Sequence, residues 1–394
     1  AQLVRRGMSV QELYTMQVSD DLCRLLERFP QNEALCADCC AALTAFARQP
    51  GVPEADLYAW TRRVCLCPAD HADSAAIAGA ALQIAAAFLA ATKDIGHFES
   101  EGWAGVLDAA LERFRDAPEL TLDTLALLRA VLSFHRYAVT DAVFAYCEAH
   151  VTSKKGRVTQ AIAACLVETL SPLEPGWAAH AAEIRRRGLV PIVDQRARVN
   201  PSNITLEILA CMLRCLLDRV IPPDAPDAAD ASPAPATPSL LHFCVFEAVR
   251  NVIGDDYMAN ALAEFRSFGA FVDQLTAMDV ADALKPVVIN TLAFLSFSPN
   301  FGRVAFAVVR SVGTALFRAV DVAVQKSAVL FFALLGDAYA RQDDIANFME
   351  AVTSTVLSLL QVRADAPEMG YLCLVVLARA VASPISRGLI RQFN

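Results

Sequence analysis

The sequence predicts an all-α fold, a right-handed α-solenoid of about nine helical repeats, on three observations. Helices of similar character start near Asn32, Asp73, Thr121, Arg157, Asn203, Leu240, Asp282, Asp321 and Pro367, about 42 residues apart. A period in the low forties is that of paired or tripled helices stacked one upon the next. Hydrophobic residues make up 55% of the 394, Ala and Leu lead, and Gly (16) and Pro (19) are sparse; Ala and Leu lose least on entering a helix. Alternating Val/Ile/Thr/Tyr runs bounded by tight-turn dipeptides, the mark of strands, are absent.

Apolar periodicity and its punctuation predict each element in order. A short helix over 9–18 is followed by one over 20–29, with Ser19 and Asp20 as N-cap types and Pro30 as the stop. Asn32 caps a helix over 33–48 that Pro50-Gly51 ends. Further helices are expected over 54–64, 73–92, 101–115, 120–136, 140–151, 157–170, 175–187 and 202–221, joined by short breaks rich in Pro, Gly, Asn or Asp. Positions 222–238 read PPDAPDAADASPAPATP, six prolines and three aspartates in 17 residues, which predicts a flexible extended loop. Helices resume over 239–253, 257–268, 271–278, 281–296, 301–320, 321–340, 345–362 and 367–381. The expected organisation is N-terminal repeats over 1–221, the loop over 222–238 and C-terminal repeats over 239–394, all in one continuous solenoid.

Charge and cysteine content narrow the function classes. A net charge of −9 argues against a general nucleic-acid binder, because phosphate contacts draw on basic surface. The polar start, 1–10, lacks an apolar run before a small-residue cleavage site. Together with twelve cysteines, it predicts a reducing intracellular compartment such as the cytoplasm, and not secretion. The longest uncharged stretch, 75–92, is Ala-rich and carries Gly79 and Gln83, so no membrane insertion is expected. Cys36, Cys39, Cys65 and Cys67, with His71 following, could frame a zinc site. However, Cys36, Cys39 and Cys40 sit in an apolar helix pattern, and the single residue between Cys65 and Cys67 is not zinc spacing. No metal or other cofactor is expected. Walker, dinucleotide-binding, G-x-S-x-G and H-E-x-x-H motifs are all missing, which predicts a non-enzyme.

The recurrent helices share a text: 34–47 (ALCADCCAALTAFA), 124–134 (TLALLRAVLSF), 206–217 (LEILACMLRCLL), 287–297 (VVINTLAFLSF) and 324–335 (VQKSAVLFFALL). This resembles the last, groove-lining helix of armadillo repeats, with HEAT repeats the close alternative, and the resemblance runs over essentially the whole chain. It implies a groove that holds another protein. The importin-α type grips peptides with Trp-x3-Asn pairs, and Trp60, Trp103 and Trp177 are not followed by Asn four residues on, so a nuclear-import receptor is disfavoured. The all-α enzymatic rival is the terpene-synthase type, marked by DDxxD. Asp20-Asp21, Asp255-Asp256 and Asp343-Asp344 do not complete that box.

Two sets of residues are candidates for recognition. Arg129, Arg214, Arg250 and Arg379 occupy one position of the recurrent helix, with Gln83 and Asn290 at corresponding places. An arginine ladder there would offer guanidinium forks to carboxylates or carbonyls of an extended partner. The simpler alternative is that each Arg snorkels or pairs with an acid on the adjacent repeat. The second set is a basic patch, Lys154, Lys155, Arg157, Arg185, Arg186, Arg187, Arg196 and Arg198, in an otherwise acidic chain. The expected function is a non-enzymatic protein-interaction scaffold or adaptor within a larger assembly. A nucleic-acid-associated repeat protein using the patch at 154–198 is the alternative.

Overall fold

The computed structural model describes residues 18–49, 51–174, 176–200, 202–220, 238–254, 268–336, 339, 342–363 and 366–392. Except for the last residue of each, the helices expected over 9–18 and 257–268 and the proline-rich loop over 222–238 lie outside the described residues. Among the described residues the protein is all-α, with no strand. It divides into two compact units, Ala1–Thr169 and Leu170–Asn394, a boundary that precedes the proline-rich segment.

In the first unit the helices are α1 (Val18–Arg28), α2 (Glu33–Ala47), α3 (Glu54–Asp70), α4 (Ala75–Thr92), α5 (Ile95–Ser100), α6 (Ala104–Glu112), α7 (Thr121–Leu132), α8 (Asp141–Val151) and α9 (Gly156–Thr169). The recurrent members pack in sequence order, α2 on α4, α4 on α7 and α7 on α9. Their texts explain why. In α4 Ile77 to Leu82 are all buried, and Ile84, Ala85, Phe88 and Leu89 add a second side. A helix with so wide an apolar surface must be flanked on several faces. α4 is also one of two described helices, with Asp343–Val362, long and apolar enough to cross a membrane. Here its apolar residues face α2, α3 and α7.

The second unit holds α10 (Trp177–Arg186), α11 (Leu189–Val199), α12 (Ile204–Arg214) and a π-helical turn, Cys215–Val220. After the proline-rich segment come α13 (Leu240–Gly254), α14 (Phe268–Ala277), α15 (Lys285–Leu295) and α16 (Ala305–Arg318). The last four are α17 (Val322–Leu334), α18 (Asp343–Val362), α19 (Pro367–Ala380) and α20 (Pro384–Gln392). α15 packs on α17 and α17 on α19, again in repeat order. One recurrent helix departs from that order. α12 packs directly on α15, while α13, the helix that starts at Leu240, packs on α15, α19 and the π-turn.

Polar ties repeat with the sequence period. Thr44 Oγ1 donates to the Ala80 carbonyl at 3.2 Å, Gln83 Nε2 to Asp123 Oδ2 at 2.6 Å, and Cys165 Sγ to the Leu125 carbonyl at 3.5 Å. These pairs are 36, 40 and 40 residues apart, and each joins one recurrent helix to the next. In the second unit Lys326 pairs with Glu368, 42 residues on. Helix starts are capped as the sequence suggests: Asn32, Asn203 and Asp321 side chains accept from Leu35, Leu206 and Ala323 amides.

His242 ties α13 into its unit. It is fully buried, its Nε2 donates to the Leu170 carbonyl at 2.8 Å, and its ring meets Trp177 edge-on. Burial holds the imidazole neutral and lowers its pKa from 6.5 to about 4, the bond to the Leu170 carbonyl opposing. Below pH 6.5 the unfolded chain takes up a proton that the folded site refuses until about pH 4. Stability from this site is therefore complete above pH 6.5 and falls as pH drops through that window, by about 3 kcal/mol in all. Chemical denaturation between pH 7 and 4 should show this slope, and His242→Leu should flatten it.

Candidate partner-binding cleft

The second unit carries a cluster of charged side chains around the junction of α12 and the π-turn. Gly188, in the left-handed region at φ 61°, turns the chain between α10 and α11, and α11 packs on α12. That brings Asp194 on α11 to Arg214 at the end of α12, with Arg214 Nε 3.2 Å from Asp194 Oδ1. Both side chains are largely covered, 23% and 17% exposed. Burial pushes the Asp194 carboxyl above the usual range, Arg214 and Arg198 oppose the rise, and Asp218 adds to it. Arg185 donates to the Leu217 carbonyl, and Arg219 lies over the Phe297 ring at 5.4 Å from its centroid. Glu207, buried, accepts from the Ser298 hydroxyl.

Two large hollows open beside Arg214. One, of about 690 Å³, is lined by Arg214, Asp218, Arg219, Ser296, Phe297, Leu334, Gly336 and Tyr339. The other, of about 480 Å³, is lined by residues of α10, α11, α12 and the π-turn, including Arg185, Asp194, Arg198, Arg214 and Asp218. Arg214 and Asp218 belong to both. π-Helical turns are rare and often accompany functional sites, since the extra residue re-aims side chains. Here the turn carries Asp218 and Arg219, both exposed. Guanidinium, aromatic ring and apolar wall together are the chemistry of a protein-binding hot spot.

The predicted arginine ladder resolves into different environments. Arg214 pairs with Asp194 on the adjacent helix, and Arg379 Nη1 donates to the Leu335 carbonyl at 2.8 Å. Asn290 is buried and Arg250 exposed, while Arg129 is half-buried in the first unit, within electrostatic reach of Cys165. Gln83 is committed to Asp123. For Arg214, Arg379 and Gln83, engagement with a neighbouring segment describes the position better than a row of open guanidinium forks.

The basic patch falls in two units. Lys154, Lys155 and Arg157 are exposed at the entry to α9, whereas Arg185, Arg186, Arg187, Arg196 and Arg198 lie in the second unit, on or beside α10 and α11. Arg186 and Arg187 both donate to Glu183, at 2.5–2.7 Å. The zinc frame does not assemble, and among the described residues no three His, Cys, Asp or Glu side chains converge as ligands. His71 Nε2 meets the Pro30 carbonyl at 2.7 Å, and Cys65 is buried against the Ala81 carbonyl at 3.9 Å.

Sequence reasoning missed Asp194, Asp218, Arg219, Phe297 and Tyr339. Their signal would have been the pairing of α11 with α12, and no helix was expected over 188–201. No protein-family model matches the chain, and no curated protein or solved structure matches it.

The Glu183 carboxyl is held down to about 2 by its bonds to Arg186 and Arg187, with burial opposing. A depressed acid stabilises the fold above its ordinary value of 4.5 and loses that contribution as pH falls towards 2. Arg186 is mostly exposed, so solvent screening leaves about 1 kcal/mol. Glu183→Gln should lower the unfolding free energy by that amount at pH 7, and urea titrations should show the difference shrinking below pH 4.

Proposed function

We propose that this chain is a non-enzymatic scaffold or adaptor, an armadillo/HEAT-type right-handed α-solenoid that holds another protein within a larger assembly. The observation that carries the reading is the hollow beside the π-turn, where Arg219 lies exposed over Phe297 and faces Leu334 and Tyr339. An acidic or carbonyl-rich segment of a partner protein fits that chemistry: Arg219 meets the carboxylate, and the Phe297 and Tyr339 rings take the apolar contact. The repeat reading is supported by ties that recur 36 to 42 residues apart between successive recurrent helices. The nucleic-acid alternative is weakened by the engagement of Arg185, Arg186 and Arg187 within the protein itself.

Arg219 is a cleaner probe than Arg214. Reversing Arg214 would set two half-buried acids against each other at Asp194, which costs stability before it tests binding. The tagged protein, purified from its own cells with and without nuclease, should retain a fixed set of partner proteins. Arg219→Glu should lose at least one of them by tenfold or more, with a melting temperature within about 2 °C of the parent. Unchanged retention by that variant would remove the cleft from the reading, and loss of all partners on nuclease treatment would favour nucleic acid.

A further inference from the structure

The π-turn decides which side chains share a hollow. Residues five apart in an α-helix point about 140° away from one another, whereas the i→i+5 bonding of a π-helix stacks them on one face. Arg214, at the end of α12, and Arg219, in the turn, are five apart, and both line the larger hollow together with Asp218. An uninterrupted α-helix through Val220 would have turned Arg219 away from Arg214. Arg219 lies over the Phe297 ring, and a Cβ added at Gly336 would come 3.7 Å from its Nη2. The smaller hollow has an exposed arginine of its own, Arg198, one turn on from Asp194 on α11. Together the two hollows are lined by Arg185, Arg198, Arg214 and Arg219 against Asp194 and Asp218, a cationic stretch in a chain of net charge −9. Arg185 is held by the Leu217 carbonyl and Arg214 by Asp194, while among the described residues Arg198 and Arg219 form no ion pair. Each hollow therefore sets one exposed cation beside an apolar wall, Val190 and Leu217 in the smaller and Phe297 and Leu334 in the larger.

We propose that the two hollows are two subsites for one extended segment of a partner protein that carries two acidic side chains with apolar residues beside them. One carboxylate meets Arg219 in the larger hollow, and the other meets Arg198 in the smaller. The proposal rests on the protein-binding reading of this cleft and adds what the partner must carry. Arg214 and Asp218, which line both hollows, form the divide that the segment crosses. Asp218 is exposed there and repels a carboxylate placed midway, so the spacing of the two acids is read as well as their number. A segment with a single acid fills only one subsite.

The test is to select random peptides displayed on phage against the purified full chain. The enriched peptides should share two acidic positions separated by a neutral stretch. The strongest of them, labelled with fluorescein, should bind by anisotropy and weaken as salt rises. Arg198→Gln and Arg219→Gln should each raise its Kd tenfold or more, both with the circular dichroism and melting temperature of the parent. Changing one peptide acid to its amide should abolish the sensitivity to one arginine and keep the sensitivity to the other, which assigns each acid to its subsite. Enrichment of single-acid peptides that respond to Arg219→Gln alone would overturn the two-subsite proposal and leave the binding reading in place. No enrichment, or peptides indifferent to both variants, would also overturn it. Failure of the underlying reading shows separately, as unchanged retention of cellular partners by Arg219→Glu.

Discussion

Each unit depends on helices that are apolar on too many sides to face water. In α15 every residue from Val288 to Leu295 is buried, and in α17 every residue from Ser327 to Leu334. Such a helix has no solvent stripe, so it is stable only when other helices cover it on several faces, and each buried Leu, Val or Phe contributes roughly 1.5–3 kcal/mol. The flanking helices supply that cover: α16 packs on α17, and α18 on α19. Gly313 on α16 is part of how close they come, since a Cβ there would lie 2.1 Å from the Phe348 ring on α18.

Close apolar packing leaves few places for charge, and in the second unit much of it gathers at the π-turn. There the Ser298 hydroxyl meets Glu207, and Arg185 meets the Leu217 carbonyl. Cys215, at the start of the turn, shows the balance: burial pushes its thiol up while Arg219 and Arg379 pull it down. Partner recognition, as proposed, uses the charge left at the rim of this network. The core of the network holds α11, α12 and α15 in register.

The all-α class was legible because an Ala- and Leu-rich composition without strand patterns acts through burial, which sequence records directly. Boundaries were less so. No helix was expected over 188–201, yet α11 spans Leu189–Val199 with Pro191 as its third residue, where the missing N–H would go unbonded anyway. α3 likewise runs past the expected end at 64 to Asp70, with Pro68 in its last turn. The packing of α13 on α19 and the pairing of Arg214 with Asp194 had no local signal, because each depends on which helices meet across more distant stretches of chain. The aligned arginines have unlike surroundings: Arg214 pairs with Asp194, Arg379 donates to the Leu335 carbonyl, and Arg250 is exposed.

Hydrogen exchange followed by mass spectrometry tests most directly whether the recurrent helices are the structural spine of each unit. The slowest amides should lie in α4, α7 and α9 of the first unit and in α15, α17 and α19 of the second, with α5, α6, α14 and α20 exchanging faster. Equal protection throughout, or slowest exchange in the flanking helices, would contradict that account.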